Sequence, residues 1–310
     1  MRLLLIIPGA IGDFVLTLPS IIWIRQKLEP GWLEIWAERC NLELAKINAR
    51  AHQARALADT GIDSWPPPGV LYENLRAFDK VISWRGAQHP EWRKPLEQKH
   101  PEICFLLKVP HDCSLHAIDY RRSQVEALFG ADGRFPPYPE IQPTEDGCQF
   151  AREFLVEELA SNLPIAMIHP GASGAQKRWP AVRFAELAGW LAVQGWRVLL
   201  CEGPLDRMAV EEFTTAFRRN GHLACVRNIQ INSLMSLAAV IKFCSLYVGN
   251  DSGISHLAAG TGCPTLVVFT VTNPVIWAPR GPRVQVAVAP ELDHVLACVR
   301  SLDRDSTTPL

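Results

Sequence analysis

Tyr247-Val-Gly-Asn-Asp-Ser-Gly-Ile-Ser-His-Leu-Ala-Ala-Gly-Thr-Gly-Cys-Pro264 is the stretch on which the reading of this 310-residue chain turns. The apolar run Leu246 to Val248 reads as the end of a buried strand. Gly249 to Gly253 makes a turn of small residues, and Ile254 to Ala259 a short helix that stops at Gly260 and Gly262. A strand, a Gly/Ser/Asp turn and a helix start leave several backbone N–H groups pointing one way. With the helix dipole behind them they suit a phosphate. Asp251 and Ser252 are equally at home as helix N-caps with no ligand.

The flanking sequence repeats the pattern. Pro164 to His169, Trp196 to Cys201 and Thr265 to Phe269 read as strands; Trp179–Gln194, Arg207–Arg219 and Leu234–Phe243 read as helices. Alternation of buried strands and helices is the doubly wound α/β signature. Three strand-following turns should then converge on one sheet edge: His169-Pro-Gly-Ala-Ser-Gly-Ala-Gln-Lys-Arg-Trp-Pro180, Glu202-Gly-Pro-Leu-Asp-Arg207 and the opening stretch. They supply small residues, a hydroxyl (Ser173), a cation (Lys177) and a helix start, the chemistry a nucleotide diphosphate needs. None is a Walker loop or a G-x-G-x-x-G fingerprint, which argues against a dehydrogenase.

The first half starts a second series. Arg2 to Ile7 is a continuous β-prone run, Pro8 to Asp13 a turn, Phe14 to Leu28 a helix, Trp32 to Ala37 a strand and Asn41 to Leu57 a helix. Asp13 falls at the carboxyl end of the first strand, where such sheets place ligands, although a helix N-cap explains it equally. Pro66-Pro-Pro-Gly69 reads as a loop, Lys80 to Trp84 as a strand, and Trp84 to His100 as a polar stretch with two tryptophans. Between Arg76 and Arg122 stand nine Lys and Arg against six Asp and Glu. That excess, with its aromatics, suits an anionic partner or an ordinary solvated surface. Phe135 to Thr144, with four prolines in ten residues, reads as a linker, and Gly147 to Ser161 as a helix.

Composition excludes several classes. A hydrophobic content of 48% and a net charge of −1 describe a globular chain without the basic excess that nucleic acid demands. The nine cysteines show no metal-ligand spacing and read as reduced thiols in a cytoplasm. Leu3 to Ile7 is too short for a signal peptide, and Phe14 to Ile24 is about half a membrane span.

Gly12-Asp-Phe-Val-Leu-Thr-Leu-Pro19, His169-Pro-Gly-Ala-Ser173 with Lys177-Arg-Trp-Pro180, and Asn250-Asp-Ser-Gly-Ile-Ser-His256 occur in this order along nearly the whole chain. In them the sequence resembles glycosyltransferase family 9, the ADP-heptose:lipopolysaccharide heptosyltransferases. The resemblance implies a GT-B fold of two Rossmann-like doubly wound domains facing across a cleft. Residues 1–143 would be the acceptor side and 144–310 the nucleotide-sugar donor side. It implies an inverting, metal-independent transfer of heptose from ADP-heptose to the lipopolysaccharide core or a related glycan. No cofactor or nucleic acid would be needed. The place would be the cytoplasm, at the inner membrane's cytoplasmic face, by peripheral contact.

By the same resemblance Asp13 is the general base, and Ser173 and Lys177 contact the donor phosphates. Asp251, Ser252, Gly253 and Ile254 wrap the diphosphate and sugar, with His256 behind them, and Met235 packs on the adenine. The residues alone leave Met235 as core and His256 as a helix histidine equally open. Family members often carry an acidic residue where Leu205 stands, with Asp206 one step later as a possible sugar contact. A different nucleotide-sugar donor, or a nucleotide-binding protein without turnover, are the alternatives.

Overall fold

The structure, a computed structural model, describes all residues except 65–67, 111, 113, 220–225 and 307–310, and the side chains of 304–306. The chain divides into two compact units, Met1–Pro139 and Glu140–Leu310. The division falls inside the proline-rich stretch and a few residues before 143. Residues from Glu140 on belong to the second unit because fully buried Ile141 donates its N–H to the Gly260 carbonyl at 2.8 Å.

The first unit runs β1 (Arg2–Ile7), α1 (Ile11–Leu28), β2 (Trp32–Ala37), α2 (Leu42–Ile47), β3 (Gln53–Ala56), α3 (Gly69–Arg76), β4 (Lys80–Ser83), α4 (Pro90–Lys99), β5 (Ile103–Phe105) and α5 (Ala117–Phe129). Its five strands are all parallel, in the order β3-β2-β1-β4-β5. Leu3, Leu4, Leu5, Ile6 and Ile7 are all buried because helices cover both faces of the central strand, so β1 carries no alternation. The apolar run from Phe14 to Ile24 is the buried face of α1. Among the described residues no helix is long and apolar enough to cross a membrane.

The second unit runs α6 (Glu145–Phe154), α7 (Val156–Ala160), β6 (Ile165–His169), α8 (Ala181–Val193), β7 (Arg197–Cys201), α9 (Arg207–Arg219), β8 (Val226–Ile229), α10 (Leu234–Lys242), β9 (Leu246–Asn250), α11 (Gly253–Gly260), β10 (Thr265–Phe269), α12 (Pro274–Trp277), β11 (Val284–Val288) and α13 (Leu292–Ser306). Six parallel strands take the order β11-β10-β9-β6-β7-β8. Ile168, Val198, Leu200, Val248, Leu266 and Val268 pack beneath Phe184, Leu187 and Phe213 of α8 and α9. In each sheet the chain reverses direction of winding once, between β1 and β4 and between β6 and β9. That switch point opens a crevice at the carboxyl ends of the strands.

Several sequence expectations need correction. The helix expected over Asn41–Leu57 is α2 followed by the edge strand β3. Arg50, in the left-handed region at φ 54, turns the chain between them. Gln-Ala-Arg-Ala has little β-propensity, and β3 forms because Leu33 and β2 offer it an open edge, with His52 N donating to Leu33 O at 2.8 Å. The helix expected over Gly147–Ser161 begins at Glu145 under a Thr144 cap and breaks at Leu155. The polar stretch after Trp84 holds α4, opened by Pro90 at its first position. Elements α3, β5, α5, β8, α12, β11 and α13 have no counterpart in the sequence reading. Pro66 and Pro67 of the expected loop lie outside the described residues.

Arg50 yields a stability test. A left-handed residue with a Cβ costs about 1–2 kcal/mol, and glycine's extra chain entropy returns about 0.5–1 of that. Arg50→Gly, ordinarily a damaging change, is expected to raise stability by up to about 1 kcal/mol. Arg50→Val should lower it. Melting temperatures of the two variants check this, and a fall for the glycine variant would contradict it.

Candidate active sites at two strand edges

In the second unit the loops after β6, β7, β9 and β10 are tied together by side chains. Asn250, fully buried at the end of β9, donates to the Pro170 carbonyl at 2.8 Å and accepts from the Trp179 N–H at 2.9 Å. It thereby clamps both ends of the loop that holds Ser173 and Lys177. Thr270 donates to the Gln176 carbonyl at 2.7 Å and pins the same loop from the β10 side. Lys177 Nζ then lies 2.8 Å from Asp251 Oδ2, which also accepts from Thr272 Oγ1 at 2.6 Å. Asp251 is buried and Lys177 partly exposed. A carboxylate only accepts hydrogen bonds, and a phosphate oxygen offers no proton. Asp251 therefore holds Lys177, and its carboxylate has no proton to offer an anion.

The start of α11 completes the edge. Ser252 is its N-cap and accepts from the Ser255 N–H, while Gly253 and Ile254 open its first turn half-exposed. Their N–H groups have no partner inside the helix, by the geometry of any helix start. Ser255 Oγ donates back to the Asn250 carbonyl at 2.5 Å and lies 3.2 Å from the Tyr247 hydroxyl, so the turn is built from within. Burial pushes the Tyr247 hydroxyl far above its ordinary value, which keeps it neutral.

Beneath these lies a buried relay. His169 Nε2 is 2.8 Å from Asp206 Oδ2, which also accepts from the Gly203 N–H at 3.0 Å. His169 Nδ1 in turn is 3.4 Å from Ser252 Oγ. With Nε2–H donating to the carboxylate, Nδ1 of the neutral ring accepts from the Ser252 hydroxyl. The chain packs tightly here: a Cβ on Gly171 would sit 2.0 Å from Asp206 Oδ1, so only glycine fits. Burial raises the Asp206 carboxyl's pKa, but the His169 hydrogen bond and charge, the Gly203 N–H and Arg178 outweigh it and leave the pKa lowered.

Asp206, expected near a sugar, is thus turned inward onto His169, while Leu205 beside it is 84% exposed. Ser173 is exposed on the clamped loop, and His256 is buried on α11. Met235 is buried in α10, with 3% of its surface exposed. His169, Thr272 and Asn250 were not singled out from sequence. Only the Thr270-Val-Thr272 run directly after a strand hinted at the second of them.

The first unit carries the other edge. Asp13 is not the N-cap: Ala10 is, without a side-chain bond, and Asp13 occupies the third position of α1, where a carboxylate favours the helix dipole. Gly9, at φ 114, lets the turn pass over it, since a Cβ there would lie 2.7 Å from the Asp13 side chain. Arg121 of α5 places Nη2 3.5 Å from Asp13 Oδ1. Burial lowers the Arg121 pKa and the Asp13 charge opposes that shift; among the described residues its Nη1 has no hydrogen-bond partner. The Asp13 side chain is 43% exposed. A sequence separation of more than a hundred residues hid this pair.

Two parallel doubly wound domains, the second with a lysine and a helix start at its switch point, define a GT-B fold. The profile of glycosyltransferase family 9 (heptosyltransferase) matches residues 108–304. Lipopolysaccharide heptosyltransferase 1 of Pseudomonas aeruginosa is 33% identical over 88% of this chain and 80% of its own. The heptosyltransferases 2 of Haemophilus influenzae and Salmonella typhimurium are 28% and 32% identical over 48% of the chain. Those matches span less than half of the relatives' length, 44% and 42%. A glycosyltransferase family 9 structure from Veillonella parvula superposes with a TM-score of 0.82 at 19% identity, over 98% of this chain and 97% of that one. The ADP-heptose lps heptosyltransferase II of E. coli gives 0.77 at 19%, over 99% of both. The E. coli heptosyltransferase WaaC, solved with ADP, gives 0.67 at 19%, over 97% and 100%. The chain belongs to glycosyltransferase family 9.

The relay predicts the behaviour of Asp206→Ala. Removing the carboxylate strands two buried donors, at a cost of about 2–5 kcal/mol. The Asp206 pKa is depressed on folding, so its stabilisation is complete above the ordinary carboxylate value of 3.8 and fades as pH falls below it. The variant should melt lower at neutral pH and lose that part of the acid dependence. A side chain that only touched sugar would leave the melting curve unchanged.

Proposed function

We propose that the protein is an inverting, metal-independent glycosyltransferase that moves heptose from ADP-heptose to the lipopolysaccharide core or a related glycan. It would work in the cytoplasm, at the cytoplasmic face of the inner membrane. One observation carries the proposal: Lys177 and the start of α11 meet at the switch point of one sheet, and half-exposed Asp13 stands at the switch point of the other. WaaC of E. coli has also been solved with ADP-2-deoxy-2-fluoro heptose, which supports ADP-heptose as the donor here.

Inversion is one displacement. The acceptor oxygen attacks the anomeric carbon from the face opposite the leaving ADP, its proton passes to a base, and negative charge grows on the departing diphosphate. Asp13, held by Arg121, takes the proton. Lys177, aimed by Asp251 and Thr272, stabilises the leaving charge together with the first-turn N–H groups of Gly253 and Ile254 and the Ser252 turn. The exposed Ser173 adds a hydroxyl from the clamped loop. A lysine and a helix dipole thus supply the charge that a divalent metal supplies elsewhere.

A second reading keeps the reaction and changes the donor sugar. Exposed Leu205 offers no hydrogen bond where relatives often place a carboxylate, and Asp206 is committed to His169.

Lys177→Ala removes a charge-assisted hydrogen bond worth about 1.5–3 kcal/mol. ADP affinity, measured by calorimetry, and turnover should each fall roughly tenfold or more. Unchanged ADP binding would remove Lys177 from the site.

Asp13→Asn keeps the shape and loses the base. With ADP-heptose and the core acceptor in excess EDTA, kcat should drop about 10² to 10⁴-fold. Stability should fall by about 1–3 kcal/mol, from the lost dipole contribution and the weakened pair with buried Arg121, and ADP binding should hold. Near wild-type transfer by this variant would refute the proposed base, and loss of wild-type transfer in EDTA would refute metal independence.

A further inference from the structure

The turn that carries Asp13 is fixed by a residue to which neither the donor site nor the base assignment gives a role. The β1–β2 ladder ends at the Ile7–Ala37 pair, so no strand holds the Gly9 peptide that follows. Gly9 lies at φ 114, and a Cβ there would meet Asp13 Oδ2 at 2.7 Å. Lacking that Cβ, the turn can close over the carboxylate, but the peptide also keeps the most freedom of any in the turn. Asn41, just past the end of β2, removes that freedom: its Nδ2 donates to the Gly9 carbonyl at 3.0 Å.

Asn41 is not placed there for the helix it precedes. It stands in the N-cap position of α2, where an asparagine ordinarily accepts from a helix N–H, yet no side-chain cap bond forms. The side chain has no exposed surface, and among the described residues its Oδ1 has no hydrogen-bond partner. A half-paired buried amide is a poor source of stability. Its backbone is anchored separately, the Asn41 N–H donating to the Glu38 carbonyl at 2.8 Å in the short helical turn Arg39–Asn41.

We propose that Asn41 is a positioning residue for the transfer: by fixing the Gly9 peptide it holds the Asp13 carboxylate in place, without touching substrate itself. Oδ1 of that carboxylate faces Arg121 and Oδ2 faces Gly9, so the guanidinium and the turn each fix one oxygen. A base must keep a lone pair within hydrogen-bond reach of the hydroxyl it deprotonates, and a displacement on the order of 1 Å costs about a hundredfold in rate. The second unit uses the same device, Asn250 on one strand fixing the loop that follows its neighbour. The inference rests on the reading of Asp13 as the base and adds the residue that aims it.

The test uses the full chain with ADP-heptose and the core acceptor. Asn41→Leu keeps the branched shape without the polar ends, and Asn41→Ala removes the amide without adding bulk. Each should lower kcat at least about tenfold, while ADP affinity by calorimetry and the KM for ADP-heptose stay within about twofold. The leucine variant should melt near wild type, since half-buried Gly9 can turn its carbonyl to water and an unpaired buried oxygen is gone. The deciding measurement is a double-mutant cycle on kcat. Adding Asn41→Leu to Asp13→Asn should change the residual rate by less than about twofold, because a residue acting only through the base has nothing left to aim. A merely structural residue would lower the rate by the same factor in both backgrounds. Wild-type kcat in both Asn41 variants, an undiminished further loss on top of Asp13→Asn, a loss of ADP affinity matching the loss of kcat, or failure of both variants to fold would each overturn the positioning role. Near wild-type transfer by Asp13→Asn alone would remove the base and this role with it, so failure of the underlying reading shows separately.

Discussion

A single buried amide holds the second unit's site together. Asn250 has no exposed surface, and its two ends bond the carbonyl of Pro170 and the N–H of Trp179. These are the flanks of the loop after β6, so a residue on β9 fixes a loop that belongs to its neighbour. Buried backbone groups must find partners, and in a loop that leaves the sheet no strand supplies them. The Asn250 side chain does so, and the geometry of Lys177 follows. Once the loop is clamped, Lys177 reaches Asp251, the residue directly after Asn250. Anchor and charge partner are thus adjacent in sequence, and the lysine is aimed by a structure that cannot shift without unpairing buried groups.

The His169–Asp206 pair serves the same edge from below. Two ionisable groups this buried are a poor source of net stability. Here they connect three loops: β6 supplies His169, the turn after β7 supplies Asp206 and Gly203, and β9 leads to Ser252. The close approach of Gly171 shows how little room the arrangement leaves. In the first unit the logic is simpler. Gly9 admits the Asp13 side chain beneath the turn, and the buried Arg121 guanidinium fixes its charge from α5.

Parallel sheets explain why these groups gather where they do. Every strand delivers its following loop to the same edge, so residues far apart in sequence meet at the switch point of each sheet. The first unit's edge joins Asp13 of the β1 turn to Arg121 of α5, with Asn41 from beyond β2 on the same turn. The second joins residues 169 to 272 across four loops.

The sequence by itself determined the strands β1, β2, β6, β7, β9 and β10, because a strand buried on both faces is mostly apolar and reads as a near-continuous run. It determined α9 to the residue, and it pointed to the turns that carry Asp13, Lys177 and the start of α11, while leaving a helix cap as an equal reading of Asp13, Asp251 and Ser252. Edge elements escaped it. Strand β3 is Gln-Ala-Arg-Ala and is a strand only because β2 leaves an edge to fill, so its signal lies in a partner and not in its own residues. Partnerships escaped it for the same reason. Whether Asp206 meets a sugar or a histidine, whether Asp13 caps a helix or sits inside one beside Arg121, and whether Asn41 caps a helix or bonds the Gly9 carbonyl depend on what the folded chain brings within a few ångströms. Tertiary structure alone decided these, because hydrogen bonds and ion pairs act across space and residue order constrains them only through the fold.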